Sequence, residues 1–199
     1  QILETQSAFW GHPGAAPCSP LGITTREHRF LDENGNARSM VPLAPLKNGD
    51  IIVTLSTHTA GWSHGHAGLV VDAERCVTLE SVVLGSLSSQ MNANHWRSYS
   101  TMVVLRPKAD DKTGEKVVQL ALDKLDHIPY SLVSGAFGDK FQPLDGPHSA
   151  HCGYLPWYAW MAAGVDLDSD GGRIAAPEDF LHSPNMEIVQ VFGFDPADF

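Results

Sequence analysis

His66-Ala67-Gly68-Leu69-Val70-Val71, Asp72-Ala73-Glu74-Arg75, Cys76-Val77-Thr78-Leu79-Glu80-Ser81 is the stretch that decides the fold. Apolar and β-branched residues fill its first and last blocks, and a short polar block separates them. That pattern predicts two strands joined by a hairpin turn over 72–75. Upstream, Asn48-Gly49-Asp50 reads as a turn and Ile51-Ile52-Val53-Thr54-Leu55 as a buried strand. Downstream, residues 101–106 read as a fourth strand stopped by Pro107. The period then changes. Val117, Val118, Ala121, Leu122 and Leu125 recur at spacings of three and four, which predicts an amphipathic helix over 113–126.

A long loop follows from 129 to 150, carrying Gly135, Gly138, Gly146 and Pro147. Residues 152–163 are apolar and aromatic and predict a second helix, stopped by Gly164. Pro156 is tolerated if it lies in the first turn, where amides have no intrahelical acceptor. Residues 186–192 read as a last strand. This order predicts an α+β fold, an antiparallel sheet packed with helices. Residues 1–47 are rich in Pro, Gly and Asn, with Asn34-Gly35 as a turn signal. They read as an irregular N-terminal arm packed on a domain spanning 48–199.

With 199 residues, 43% of them hydrophobic and 18% charged, the chain can bury a proper core. Its net charge is -10, and no Lys/Arg cluster exceeds two neighbouring positions. That argues against nucleic acid as the partner and against docking on an anionic membrane. No apolar run approaches membrane-spanning length. The three cysteines, Cys18, Cys76 and Cys152, are too few and too scattered for a disulfide framework. The opening residues carry no charged-then-apolar leader. The expectation is a chain cytoplasmic in its producer, or exported by a signal-independent route to act in a target periplasm.

Three residues could make a site. Cys152 stands at the start of a helix, where unpaired amides and partial positive charge lower a thiol pKa. His66 opens a strand after a polar loop, and Gly68 leaves room for a close neighbour. Glu80 falls near the register of His66 on the paired strand, where its carboxylate could fix the imidazole tautomer. Each has an ordinary alternative: a core thiol, one polar histidine among ten, an edge carboxylate.

Together these segments resemble a known family. His66-Ala-Gly-Leu-Val-Val, Val77-Thr-Leu-Glu80-Ser and Arg106-Pro107 resemble the front half of YiiX-like proteins, permuted members of the NlpC-type cysteine peptidase superfamily. Ile128-Pro-Tyr130, Cys152 at a helix start, Ala176-Pro177-Glu-Asp179-Phe and Ser183-Pro184-Asn-Met-Glu-Ile-Val resemble the back half. The likeness covers roughly residues 48–192. Where that family has Ser-Glu after the cysteine, this chain has Gly153-Tyr154. The resemblance implies a circularly permuted papain-like (NlpC-type) fold with Cys152 as nucleophile, His66 as base and Glu80 as its orienting group. It needs no cofactor or metal. His64 is an alternative base. It also implies a cysteine peptidase or amidase acting on peptidoglycan stem peptides. Some type VI secretion toxins resemble this superfamily, which would add an inhibitor (immunity) protein as a partner. Tyr130 could supply a hydroxyl donor, and Trp62 and Trp96 are candidates for substrate contact.

Three other readings compete. His58, His64, His66, His148 and His151 could serve a zinc hydrolase. The same fold could transfer acyl groups between lipids through a cysteine thioester. It could also survive as a non-catalytic binding module.

Overall fold

The computed structural model describes residues 13–15, 25–59, 62–142 and 146–194. Cys18 and most of the first 24 residues lie outside them. The strands are β1 (Pro13–Ala15), β2 (Thr25–His28), β3 (Ile51–Thr54), β4 (Thr57–Thr59), β5 (Trp62–Ser63), β6 (His66–Asp72), β7 (Val77–Glu80), β8 (Ser89–Asn92), β9 (Met102–Pro107) and β10 (Met186–Phe192). The α-helices are α1 (Asp111–Lys124), α2 (Tyr154–Ala162) and α3 (Pro177–His182), with a 3-10 helix over Ala93–Ser98.

Six strands form an antiparallel sheet in the order β10-β9-β3-β6-β7-β8. The architecture is therefore α+β, as the periodicity predicts. β3 is central and buried on both faces, which is why Ile51-Ile52-Val53 is continuously apolar. On one face Ile51, Val53, Leu69, Leu79, Val103 and Leu105 pack against α1 and α2. On the other, Ile52, Val70 and Val104 pack against Val41, Trp96 and Tyr99. Each such side chain contributes about 1.5–3 kcal/mol by leaving water. Asp50, buried at the head of β3, accepts two hydrogen bonds from Arg106 on β9 (2.9 and 2.8 Å) and fixes the ends of these strands.

The hairpin departs from expectation in one detail. Cys76 belongs to the turn rather than to β7, with a positive φ of 54°. A bulge between Val70 and Asp72 shifts the pairing there and leaves Cys76 to close the turn. Leu69 pairs with Leu79 and Val70 with Thr78. Continuing that register sets Glu80 beside Gly68, so it reaches His66 diagonally on the same face.

α1 starts at Asp111 because the Asp110 carboxylate accepts from the Thr113 N–H (2.7 Å). α2 starts at Tyr154, and Pro156 sits in its first turn. The Leu155 N–H already donates to the His151 carbonyl (3.1 Å), so Cys152 lies in the helical turn that leads into α2. β1 and β2, within the arm read as irregular, and β4, β5, β8, the 3-10 helix and α3 are not foreseen by the sequence reading. Within the polar stretch 56–65, β4 and β5 join β2 and β1 in a second, four-stranded sheet.

Candidate active site

His66 opens β6 at the central part of the sheet and is buried, with its Nε2 2.7 Å from Glu80 Oε2. The glycine two residues on makes this contact possible. A Cβ on Gly68 would lie 2.9 Å from Trp96 Cζ2 and 3.0 Å from Glu80 Cγ. Glu80 is fully enclosed, so its charge must be met by protein groups. Its Oε1 accepts from His95 Nε2 (2.7 Å), Trp96 Nε1 (3.0 Å) and the Thr78 hydroxyl. Burial alone would raise the Glu80 carboxyl. His95 and His66, by charge and hydrogen bond, outweigh it and hold the group far below the usual carboxylate range.

The candidate nucleophile, Cys152, comes from a distant part of the chain. Ala150 is pinned by its N–H to the Pro129 carbonyl (3.0 Å) and by its carbonyl to the Ser131 N–H (3.0 Å) and the Ser81 hydroxyl (2.8 Å). Tyr130 bridges to Ala150 in the same place. Ser81 directly follows Glu80, so these bonds fasten the segment before Cys152 to the end of β7. Cys152 then enters α2 with its sulfur against His66. Glu80 occupies Nε2, so Nδ1 is the ring nitrogen left for the thiol.

Burial would raise the Cys152 thiol. The imidazoles of His151, His64 and His66 around the thiol, and the charge of His66, outweigh burial and hold it well below its ordinary range. Burial would likewise lower His66. Hydrogen bonds to Cys152 and Glu80, and the charges of both, raise it to about 10. Both shifts favour the charged form of each partner. His64, the alternative base, bonds the Gly65 carbonyl through Nδ1 (2.6 Å). His66 is the imidazole placed between a carboxylate and the sulfur.

A narrow cleft opens over Cys152. The 56–65 segment supplies Trp62 and His64, the 129–150 segment supplies Tyr130 and Leu132, and Ile174, Ala176 and Pro177 form a third wall. Trp62 is 55% exposed on the cleft wall. Trp96, by contrast, is fully buried, stacks on the His66 ring at 5.2 Å with planes 7° apart, and donates to Glu80. Its expected role in substrate contact is corrected to one of packing on His66 and bonding Glu80. Tyr130 is kept neutral, pushed up by burial and by the Cys152 charge, so its hydroxyl keeps a proton to donate.

Gly153, the departure from the Ser-Glu pattern, has a steric reason. A Cβ there would fall 2.1 Å from the Ala175 carbonyl oxygen. The third wall is laid so closely over the start of α2 that only glycine fits. His95 and the placement of His151 were missed by sequence reasoning. His151 accepts from the Tyr154 N–H through Nδ1 (3.2 Å), and its buried Nε2 makes no directed hydrogen bond among the described residues.

No family model matches the chain, and no curated protein matches it. Among solved structures, it is similar to metalloprotein YiiX from Escherichia coli O157:H7, DUF1105. The two superpose with a TM-score of 0.53 at 14% identity, over 74% of this chain and 98% of that one. The fold is YiiX-like. That neighbour's name raises the question of a metal. Among the described residues, Asp168, Asp170 and Asp179 are the three potential ligands whose donor atoms converge within 4.8 Å. The Lys140 ammonium already sits on Asp168 there. The imidazoles His58, His64, His66, His148 and His151 do not converge in this way, and His66 Nε2 is committed to Glu80. The arrangement around Cys152 does not fit a zinc centre built from these histidines. Both described cysteines, Cys76 and Cys152, are free thiols. Among the described residues no helix is long and apolar enough to cross a membrane.

Proposed function

We propose that this protein is a cysteine hydrolase of permuted papain-like type that cleaves an amide or related acyl bond. The observation that carries the reading is the placement of His66 between the enclosed carboxylate of Glu80 and the depressed thiol of Cys152. The Cys152 thiolate attacks a carbonyl carbon, and the carbonyl oxygen takes up the negative charge. Backbone amides before α2 and the Tyr130 hydroxyl, which lines the cleft, are the donors for that oxygen in this reading, each contributing about 3 kcal/mol in comparable sites. As the intermediate collapses, the His66 imidazolium gives its proton to the leaving amine, and a thioester on Cys152 remains. His66, now neutral, takes a proton from water as that water attacks the thioester. The acid departs and the thiolate–imidazolium pair is restored. Glu80 keeps the ring oriented throughout and stabilises its positive form.

Peptidoglycan stem peptides are the first natural substrate to assay, on the strength of the sequence resemblance. The deciding test is the rate of Cys152 alkylation against pH for wild type and His66→Ala. Wild type reacts below pH 7. The variant reacts only near the unperturbed thiol range, about pH 8.5. Equal profiles would remove the ion pair and the reading with it.

A further inference from the structure

The walls of the Cys152 cleft say what kind of acyl group it receives. Three large apolar side chains, Trp62, Leu132 and Ile174, are 55%, 41% and 41% exposed, and all three line this cleft. They come from three separate segments, so their convergence is a property of the fold and not of one greasy loop. Exposed apolar surface gathered around a nucleophile is the mark of a site for an apolar group. Pro177 and Ala176 extend the same wall.

Among the described residues, no carboxylate, ammonium or guanidinium lines the cleft. Its polar members are His64, His151, Tyr130 and the Cys152 thiol. Two cations on the adjoining segments are engaged elsewhere. Lys140 holds Asp168 and the Gly172 carbonyl, and Arg173 donates to the Ala136 carbonyl (3.2 Å). The chain as a whole carries a net charge of -10. An anionic acyl group would meet a negative protein and a thiolate, and the positive charge beside them, on His66, is already shared between Glu80 and Cys152.

Resting on the thiol-hydrolase reading, we infer that the acyl group transferred to Cys152 is uncharged and apolar, larger than acetyl, and seated among Trp62, Leu132 and Ile174. A stem peptide would then be cut only where the residue giving up its carbonyl is apolar and the peptide's carboxylates stay outside the cleft.

The test uses p-nitrophenyl acetate, butanoate, octanoate and hemisuccinate with the whole chain. Thiolate attack expels p-nitrophenolate and leaves acyl-Cys152, which water then hydrolyses to the free acid. Phenolate release and the mass of the acylated protein are both read. The expected result is a rise in kcat/KM of about fourfold per methylene buried, with hemisuccinate at least a hundredfold below butanoate. Trp62→Ala brings the butanoate-to-acetate ratio toward one. Leu132→Lys shifts preference toward hemisuccinate. Rates that depend on Cys152 but are flat with chain length, or as fast with hemisuccinate, overturn the inference and leave the hydrolase standing. Absence of any acyl-Cys152, with Cys152→Ala indistinguishable from wild type, overturns both.

Discussion

Gly68 and Glu80 are in contact so close that no other residue fits at position 68. A Cβ there would sit 3.0 Å from Glu80 Cγ and 2.9 Å from Trp96 Cζ2. Both neighbours are buried, and neither can retreat into solvent. Gly68→Ala is expected to lose about 1–3 kcal/mol of stability, the usual result of overpacking a closed site. It should also slow Cys152 alkylation at pH 6, because a displaced Glu80 no longer supports His66. Urea unfolding and iodoacetamide kinetics on the same sample check the two effects.

The charge state of the site sets its pH profile. Cys152 is depressed and His66 is raised to about 10, so the reactive pair exists between those limits. Hydrolysis should fall on the acid side as the thiolate protonates, and above about pH 10 as His66 loses the proton it must give the leaving group. Replacing His64 should leave the alkaline limb in place. Replacing His66 should abolish it. Rate measurements from pH 4 to 11 on the two variants distinguish the base.

Glu80 links the site to acid stability. Its folded-state carboxyl lies far below the usual range, so the unfolded chain binds its proton more readily. The stabilisation is fully present above about pH 5 and is lost as pH falls toward the folded-state value. His66 works in the opposite sense. Its stabilisation is fully present below about pH 6 and is lost as pH rises through about 10. Glu80→Gln presents an amide to Trp96 and His95, which are hydrogen-bond donors, and should cost about 3–5 kcal/mol at pH 7. The difference from wild type should shrink toward pH 3. Denaturant midpoints at the two pH values measure it.

Gly153→Ala tests the third wall. The added carbon falls 2.1 Å from the Ala175 oxygen, so the 174–177 segment must move. That segment carries Ile174, Ala176 and Pro177 of the cleft. Turnover should drop at least tenfold, while Cys152 alkylation, which does not need the 174–177 wall, still proceeds below pH 7 as in the wild type.

The hairpin that carries His66 and Glu80 is legible in sequence because its strands are apolar and β-branched and its turn is polar. α1 is legible because its apolar spacing repeats over several turns. The rest leaves no periodic trace. His95 and Trp96 lie on a six-residue 3-10 helix, Ala93–Ser98, too short for any pattern to separate an inward ring from an outward one. Trp96 therefore looks equally fit for a substrate rim and for the core. α3 has six residues and is held by the Asp179 carboxylate reaching back to the Ala176 N–H (2.7 Å), a contact that the letters Ala-Pro-Glu-Asp only hint at. The closeness of Gly153 to Ala175 joins segments far apart in the chain, so the local sequence records its result, a glycine, and not its cause.

His66 and Glu80 stand 14 residues apart on one hairpin, whereas Cys152 lies 87 residues beyond Gly65. A chain leaving the ribosome therefore completes its proton-handling half long before the sulfur that needs it has been synthesised. The hairpin and the thiol meet only once the later half of the chain has folded back onto β6.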